Sequence, residues 1–197
     1  AVPAVAELIV VVAKDEIAFV EGMLEKAQGL KPWRVVQGGA ERQYSIANGM
    51  AHLAADADIV LVHDAARPLV SLAAIEAVIS AAREKGAAIA AVRAKNTIKV
   101  VGEDGRVEAT PARASLWEVQ TPQGFRREIL QRAYEKAAQD GFLGTDDASL
   151  VERLGEAVCV VESDYGNLKI TTPEDLWMAE ALLAHSAGIV DEMKVTI

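Results

Sequence analysis

A single cysteine, Cys159, in 197 residues leaves no partner for a disulfide within the chain and no CxxC pair for a metal or redox centre. A reducing, cytoplasmic setting fits that usage. Aromatic residues make up 5% of the chain, so the core must be built from Ala, Val, Ile and Leu. No apolar run approaches the roughly 20 residues of a membrane helix; Leu8 to Ala13 and Ile59 to Val62 have strand length. Basic residues are in the minority, 20 Lys and Arg against 29 Asp and Glu. The resulting charge of -9 makes a nucleic acid or an anionic membrane a poor partner. A small anionic ligand is compatible with it, because a few basic side chains make a local positive site. Neither GxGxxG nor a Walker loop occurs, so dinucleotide and P-loop readings have no support. HExxH, a His/Cys cluster and a Ser–His–Asp order are missing too, which leaves nucleophilic hydrolysis and transition-metal chemistry without parts. The sequence opens at Ala1 with no basic region followed by an apolar one, so there is no secretory signal to read.

What is present alternates. Leu8 to Ala13 is a continuous apolar run typical of a strand buried on both faces, and Ile17, Val20, Met23, Leu24 and Ala27 follow at helical spacing. The unit recurs as Trp33 to Val36 then Arg42 to Ala54, and as Asp58 to Val62 then Leu72 to Lys85, with Ser71 as N-cap and Gly86 as C-cap. Ala87 to Val92 is the next buried strand. Such alternation predicts one α/β domain over 1–185, with a Rossmann-like, doubly wound and mostly parallel sheet and helices on both faces. Thr97 to Val101 and Arg106 to Ala109 break the rhythm. They alternate polar and apolar residues around Gly102-Glu-Asp-Gly105, the pattern of an antiparallel hairpin that extends as an arm over about 97–116. A strand at Leu116 to Val119, a helix from Arg126 to Gln139, a short helix after Thr145, and strands at Ala157 to Val161 and Asn167 to Ile170 follow. Thr172-Pro-Glu-Asp175 marks a helix start. The tail, 186–197, has no clear period and no assigned function.

Ligands of open parallel sheets bind beyond the carboxyl ends of the strands, and three such junctions carry unusual residues. In Gln37 to Ser45, Gly38 and Gly39 let the backbone approach a ligand, Ala40 follows, Arg42 brings charge and Ser45 lies a helical turn on. An ordinary tight turn into a helix has the same residues. In Val62 to Pro68, Asp64 at a strand end, followed by Ala65, Ala66 and Arg67, suits a metal-bound phosphate; a cap at Asp64 paired to Arg67 reads equally well. His63 reads as a packed, hydrogen-bonded side chain. In Asp164 to Pro173, period two puts Asn167, Lys169 and Thr171 on one strand face, where the lysine is placed to receive an anion; a solvated edge strand has the same pattern. By default Arg113 is a surface arginine, Gly144-Thr-Asp-Asp147 a helix cap, and Thr121-Pro-Gln-Gly-Phe125 a turn.

Taken in order and at these intervals, Gly38-Gly39-x-x-Arg42-x-x-Ser45, His63-Asp-Ala-Ala-Arg-Pro68, Thr97-Ile-Lys99, Thr121-Pro-Gln123, Thr145-Asp-Asp147 and Asn167-x-Lys169-Ile-Thr171 resemble the 2-C-methyl-D-erythritol 4-phosphate cytidylyltransferase family, from about Leu8 to Leu183. Ribitol-5-phosphate cytidylyltransferases are the near alternative, but usually carry a larger residue where Ala66 stands. Another polyol-phosphate nucleotidyltransferase, or a non-catalytic nucleotide-binding domain, is a more distant one. The resemblance implies transfer of a cytidylyl group from CTP to methylerythritol phosphate with release of pyrophosphate, a step of non-mevalonate isoprenoid synthesis. It also implies Mg²⁺ and a homodimer made by exchanged hairpin arms. By the same resemblance Gly38, Gly39, Ala40, Arg42, Ser45, Asp64 and Ala65 face CTP, with Asp64 also at the metal. Asp64, Arg67, Thr97, Arg113, Thr121, Thr145 and Lys169 would surround the methylerythritol phosphate, with Arg113 and Lys169 as the catalytic pair that positions its phosphate. The family usually has Asp where Ala40 stands. Ahead of the matched stretch the family also carries a first strand and a Gly-rich loop whose arginine and lysine hold the triphosphate. This sequence opens after them, and a chain lacking them is expected not to turn over.

Overall fold

The computed structural model describes the backbone of residues 2–194 and the side chains of residues 2–185. Strand–helix alternation opens the fold: β1 (Leu8–Val12), α1 (Ile17–Leu24), β2 (Trp33–Gln37), α2 (Arg42–Met50), β3 (Ile59–Val62), α3 (Leu72–Lys85) and β4 (Ala87–Arg93). The hairpin arm is β5 (Val100–Val101) and β6 (Val107–Ala109), and then come β7 (Trp117–Arg126), α4 (Arg127–Asp140), α5 (Asp147–Arg153), β8 (Cys159–Glu162) and α6 (Pro173–Lys194). The expected caps form. Ser71 Oγ accepts from the Ala74 N–H at 3.2 Å, Gly86 ends α3 at φ 96°, and Thr172 and Asp175 cap α6 reciprocally.

The sheet is mixed. β1 and β2 pair in parallel as a two-stranded ladder, while the four-stranded sheet runs in the order β3-β7-β4-β8. β8 is parallel to β4, but β7 is antiparallel to both β3 and β4. α2 bridges the two ladders: its Ile46, Ala47 and Met50 pack on the larger sheet's core, and at Gly49 it comes so near β1 that a Cβ would stand 3.0 Å from Val11 Cγ2. The larger sheet has helices on both faces. Val60, Val62, Phe125, Leu130 and Leu150 form the core toward α4 and α5, and Val78, Ala82, Ala88 and Ala90 the core toward α3. Burying the whole Phe125 side chain contributes about 1.5–3 kcal/mol.

Three expectations need correction. The strand at Leu116 to Val119 is longer: β7 runs through Thr121 to Phe125, where a turn was the default. Their burial explains this, since Thr121 and Gln123 satisfy their polar atoms inside the protein. The Asn167 to Ile170 strand does not form, and one backbone bond, from Ile170 N–H to the Ala66 carbonyl, ties this loop down. Asn167 is therefore buried while Lys169 and Thr171 are exposed, and period two does not hold. Finally, α6 continues to Lys194 where the sequence shows no period; residues 195–197 lie outside the described residues.

Candidate active site

The chain turns sharply at the C-terminal end of β3, with Arg67 N–H bonded to the Asp64 carbonyl at 2.9 Å. A buried hydroxyl holds the turn from β7: Thr121 Oγ1 accepts from Asp64 N–H at 3.0 Å and lies 3.0 Å from His63 Nδ1. His63 Nε2 lies 3.1 Å from the Arg67 carbonyl. A carbonyl only accepts, so Nε2 carries the proton and Nδ1 accepts from Thr121. Burial holds the His63 pKa below its usual value, which keeps this neutral form. His63 is thus hydrogen-bonded at both ring nitrogens, as its sequence context predicts, although the residue keeps an exposed surface instead of being packed inside.

Asp64 is the focus of three cations. Lys169 Nζ lies 3.0 Å and Arg67 Nε 3.9 Å from Oδ2, and Arg42 approaches Oδ1 at 3.6 Å. Three cations against Asp64 and the Asp147 carboxylate behind Arg42 still leave a local excess of positive charge on an acidic protein, which is what a phosphate ligand requires. Burial alone would raise the Asp64 pKa, but the Lys169 bond and charge, then Arg42 and Arg67, bring it below the usual carboxylate value. Arg67 is fixed further by donating to the Asn167 carbonyl at 2.7 Å, and Asn167 is itself buried and bonded to Gln120 Oε1 and the Thr121 carbonyl. The structure therefore joins Asp64, Arg67, Lys169, Arg42 and Thr121, which come from four separate segments.

Behind Arg42 stands a buried acid. Asp147, with no exposed side-chain surface, takes Arg42 at 2.8 Å on Oδ2 and the Tyr134 hydroxyl at 2.5 Å on Oδ1. This network holds the Arg42 guanidinium between Asp147 and Asp64. Thr145 is exposed on the loop before α5, beside Asp146, which caps that helix in a capping box with Ser149.

The glycine segment borders a cavity of about 630 Å³ lined by Val11 to Lys14, Glu16, Gln37 to Ala40 and Ser45. That volume suits a nucleoside-sized ligand. Ser45 Oγ shapes the loop by accepting from Gly39 N–H at 3.0 Å and donating to the Glu41 carbonyl at 3.1 Å. A Cβ on Gly39 would meet Tyr44 Cβ at 2.5 Å, so the close approach requires glycine. Lys14 and Glu16 are cavity residues that the motif reading passed over. The signal was available, because they follow β1 at a strand end like the other three junctions.

The remaining positions lie elsewhere. Ala65 is exposed in the turn after β3, and Thr97 lies exposed ahead of β5. Arg113 sits beyond the arm, where its guanidinium donates to the Lys95 carbonyl at 3.1 Å.

Comparison with known proteins places these features in context. Residues 1–185 match the sequence profile of 2-C-methyl-D-erythritol 4-phosphate cytidylyltransferase. A protein of that name from Caldanaerobacter subterraneus is 49% identical over 178 residues, covering 90% of this chain and 78% of the other. Its counterpart from Bacillus pumilus is 48% identical over 182 residues, covering 92% and 79%. Among solved structures, 4-diphosphocytidyl-2C-methyl-D-erythritol synthase from Anaerococcus prevotii superposes with a TM-score of 0.85 at 36% identity, over 91% of this chain and 82% of that one. The 2-C-methyl-D-erythritol 4-phosphate cytidylyltransferase of Thermus thermophilus gives 0.73 at 33% identity, over 90% and 98%.

Proposed function

The chain belongs to the 2-C-methyl-D-erythritol 4-phosphate cytidylyltransferase family, and from that premise we propose that its reaction takes place at the cationic cluster around Asp64. The activity is that of a nucleotidyltransferase, joining CTP and 2-C-methyl-D-erythritol 4-phosphate to give cytidine diphosphate methylerythritol and pyrophosphate, in non-mevalonate isoprenoid synthesis. The observation that carries the site assignment is the convergence of Arg42, Arg67 and Lys169 on one carboxylate at a strand end.

On this reading the cytidine enters the cavity beside Gly38, Gly39, Ala40 and Ser45, whose volume and exposed backbone fit a base and ribose. Methylerythritol phosphate lies against Arg67, Thr121, Thr145 and Lys169, joined by Thr97 and Arg113. Its phosphate oxygen attacks the α-phosphorus of CTP in line, the bond to the β-phosphate oxygen breaks, and pyrophosphate leaves without a covalent enzyme intermediate. Arg67 is held rigidly by Asn167, and Lys169 is free to shift from Asp64 to an incoming phosphate. Together they hold two polyanions at attack distance and stabilise the charge that develops at phosphorus.

A magnesium ion fits the donor set in one manner. No group of three His, Cys, Asp or Glu side chains stands together among the described residues, so there is no protein cage. Asp64 Oδ1, with only the long contact to Arg42, offers the single carboxylate ligand of an ion held mainly by substrate oxygens. Bound there, Mg²⁺ would neutralise phosphate charge and act as a Lewis acid.

A homodimer through the arm accounts for the exposed Ile98, Val100, Val101 and Val107 on a two-stranded hairpin, an element only marginally stable alone. A cytoplasmic location agrees with the lone cysteine, and no helix among the described residues is long and apolar enough to cross a membrane. Pyrophosphate release by the full-length protein, with CTP, Mg²⁺ and either methylerythritol phosphate or ribitol 5-phosphate, tests the reading. Release with the first polyol phosphate alone is expected, and equal release with both would overturn the substrate assignment.

A further inference from the structure

Gln43 stands between Arg42 and Ser45 on the first turn of α2, in the segment that borders the nucleotide cavity, yet its side chain is buried and turns to another part of the chain. Its amide is used at both ends. Nε2 donates to the Phe142 carbonyl at 3.0 Å and Oε1 accepts from Gly144 N–H at 2.9 Å, which grips the backbone just ahead of Thr145. A second buried amide grips it from β7: Gln123 Nε2 donates to Asp146 Oδ2 at 2.8 Å, and its Oε1 accepts from Ala148 N–H at 3.1 Å. Gly144 packs closely there, with no space for a side chain, since a Cβ would meet Ser149 Oγ at 2.5 Å and Leu150 Cδ2 at 2.7 Å. Thr145 is thus an exposed side chain between two anchored points. A primary amide is the side chain that suits this task, offering a donor and an acceptor side by side to a carbonyl and an N–H of one backbone segment. The Arg42 to Asp147 ion pair adds a third tie between α2 and this loop.

We propose that Gln43 is a positioning residue for methylerythritol phosphate, acting through Thr145, although it lies within the nucleotide segment. This rests on the assignment of Thr145 to that substrate made above. Releasing the loop lets Thr145 drift, and displacements on the scale of 1 Å cost about a hundredfold in rate. The glycine loop keeps its own brace at Ser45, so the nucleotide cavity is unaffected.

The test compares two variants of the full-length protein. Gln43→Met keeps the length of the side chain and removes both bonds; Gln43→Glu keeps the acceptor for Gly144 N–H and sets a carboxylate oxygen against the Phe142 carbonyl. Should the methionine variant not fold, the glutamate variant carries the comparison. We expect kcat/KM for methylerythritol phosphate to fall by about ten- to a hundredfold, while calorimetry shows CTP affinity within about twofold of wild type. Adding either change to Thr145→Val is expected to cost little beyond Thr145→Val alone, because both act through one side chain. A loss of CTP affinity as large as the loss for the polyol phosphate, or full additivity with Thr145→Val, would overturn the proposal. Wild-type protein inactive with these two substrates would instead overturn the functional reading beneath it.

Discussion

Lys169 Nζ and Asp64 Oδ2 lie 3.0 Å apart, joining the loop before α6 to the end of β3. The bond links the cation assigned to the polyol phosphate with the carboxylate assigned to the metal. Occupation of the site must therefore loosen it, because both groups gain other partners.

Replacing Asp64 by Asn leaves Arg42, Arg67 and Lys169 facing one another with no carboxylate between them. Turnover is expected to fall by about a hundredfold or more, with the fold intact by circular dichroism. EDTA should abolish wild-type activity, and full activity in EDTA would remove the metal from the scheme.

Lys169→Met separates the two substrates. CTP affinity should persist in calorimetry while most turnover is lost, since the cation serves the incoming phosphate; an equal loss of CTP affinity would assign Lys169 to the wrong substrate. The substitution also has a pH signature. The Asp64 pKa is depressed in the native state, so its contribution to stability is present above the unfolded value and is lost as pH falls through the lower folded value. Without Lys169 the carboxyl loses its main stabilising partner, and burial pushes its pKa up. The gap in melting temperature between wild type and Lys169→Met should therefore be widest near neutrality and close on acidification. A gap of constant size down to about pH 3 would show that Asp64 ionisation is not coupled to Lys169.

The strand and helix alternation up to β4 was legible because apolar runs, Ser71 and Gly86 each report a local rule. Asp64 and Arg67 were legible for the same reason, as charged residues at the end of β3, whereas Lys169 was singled out through a strand that does not form and reaches Asp64 from a loop. β7 was not, because Thr121, Pro122, Gln123 and Gly124 have the composition of a turn. They form a strand through partners far along the chain: His63 and Asp64 for Thr121, Asp146 and Ala148 for Gln123, and α3 for Gly124, where a Cβ would meet Val78 Cγ1 at 2.8 Å. Asn167 was misread likewise, since its burial depends on Gln120 and Thr121, which no local pattern relates to it. The pairing of Arg42 with Asp147, and of Asp147 with Tyr134, was not legible either, because no local pattern relates the three residues.

That buried network gives a stability prediction. Tyr134→Phe removes the hydroxyl from Asp147 Oδ1 and leaves a fully buried carboxylate oxygen without its donor. A cost of about 1–3 kcal/mol follows, or a melting temperature lower by roughly 2–4 °C per kcal/mol in a chain of this size. Burial, with the neighbouring Asp147, raises the Tyr134 pKa so far that the loss should not vary between neutral and mildly alkaline pH. An unchanged melting temperature would mean that water replaces the hydroxyl at no cost.

Arg113 is expected to act in trans. It lies just past the arm and bonds the Lys95 carbonyl, apart from the ion pairs of Asp64 in its own chain. In a two-fold dimer with exchanged arms, each site then combines Lys169 of one chain with Arg113 of the other. Arg113→Ala and Lys169→Ala chains are each inactive on this account. Unfolded and refolded together, they give heterodimers in which one site carries both lesions and the other carries neither. Random pairing makes about half the dimers mixed, each with one intact site of two, so roughly a quarter of wild-type activity should return. If Arg113 serves its own chain, every site keeps one lesion and nothing returns. Differential tags confirm that heterodimers have formed, and a mixture no more active than its parents would then refute the trans arrangement.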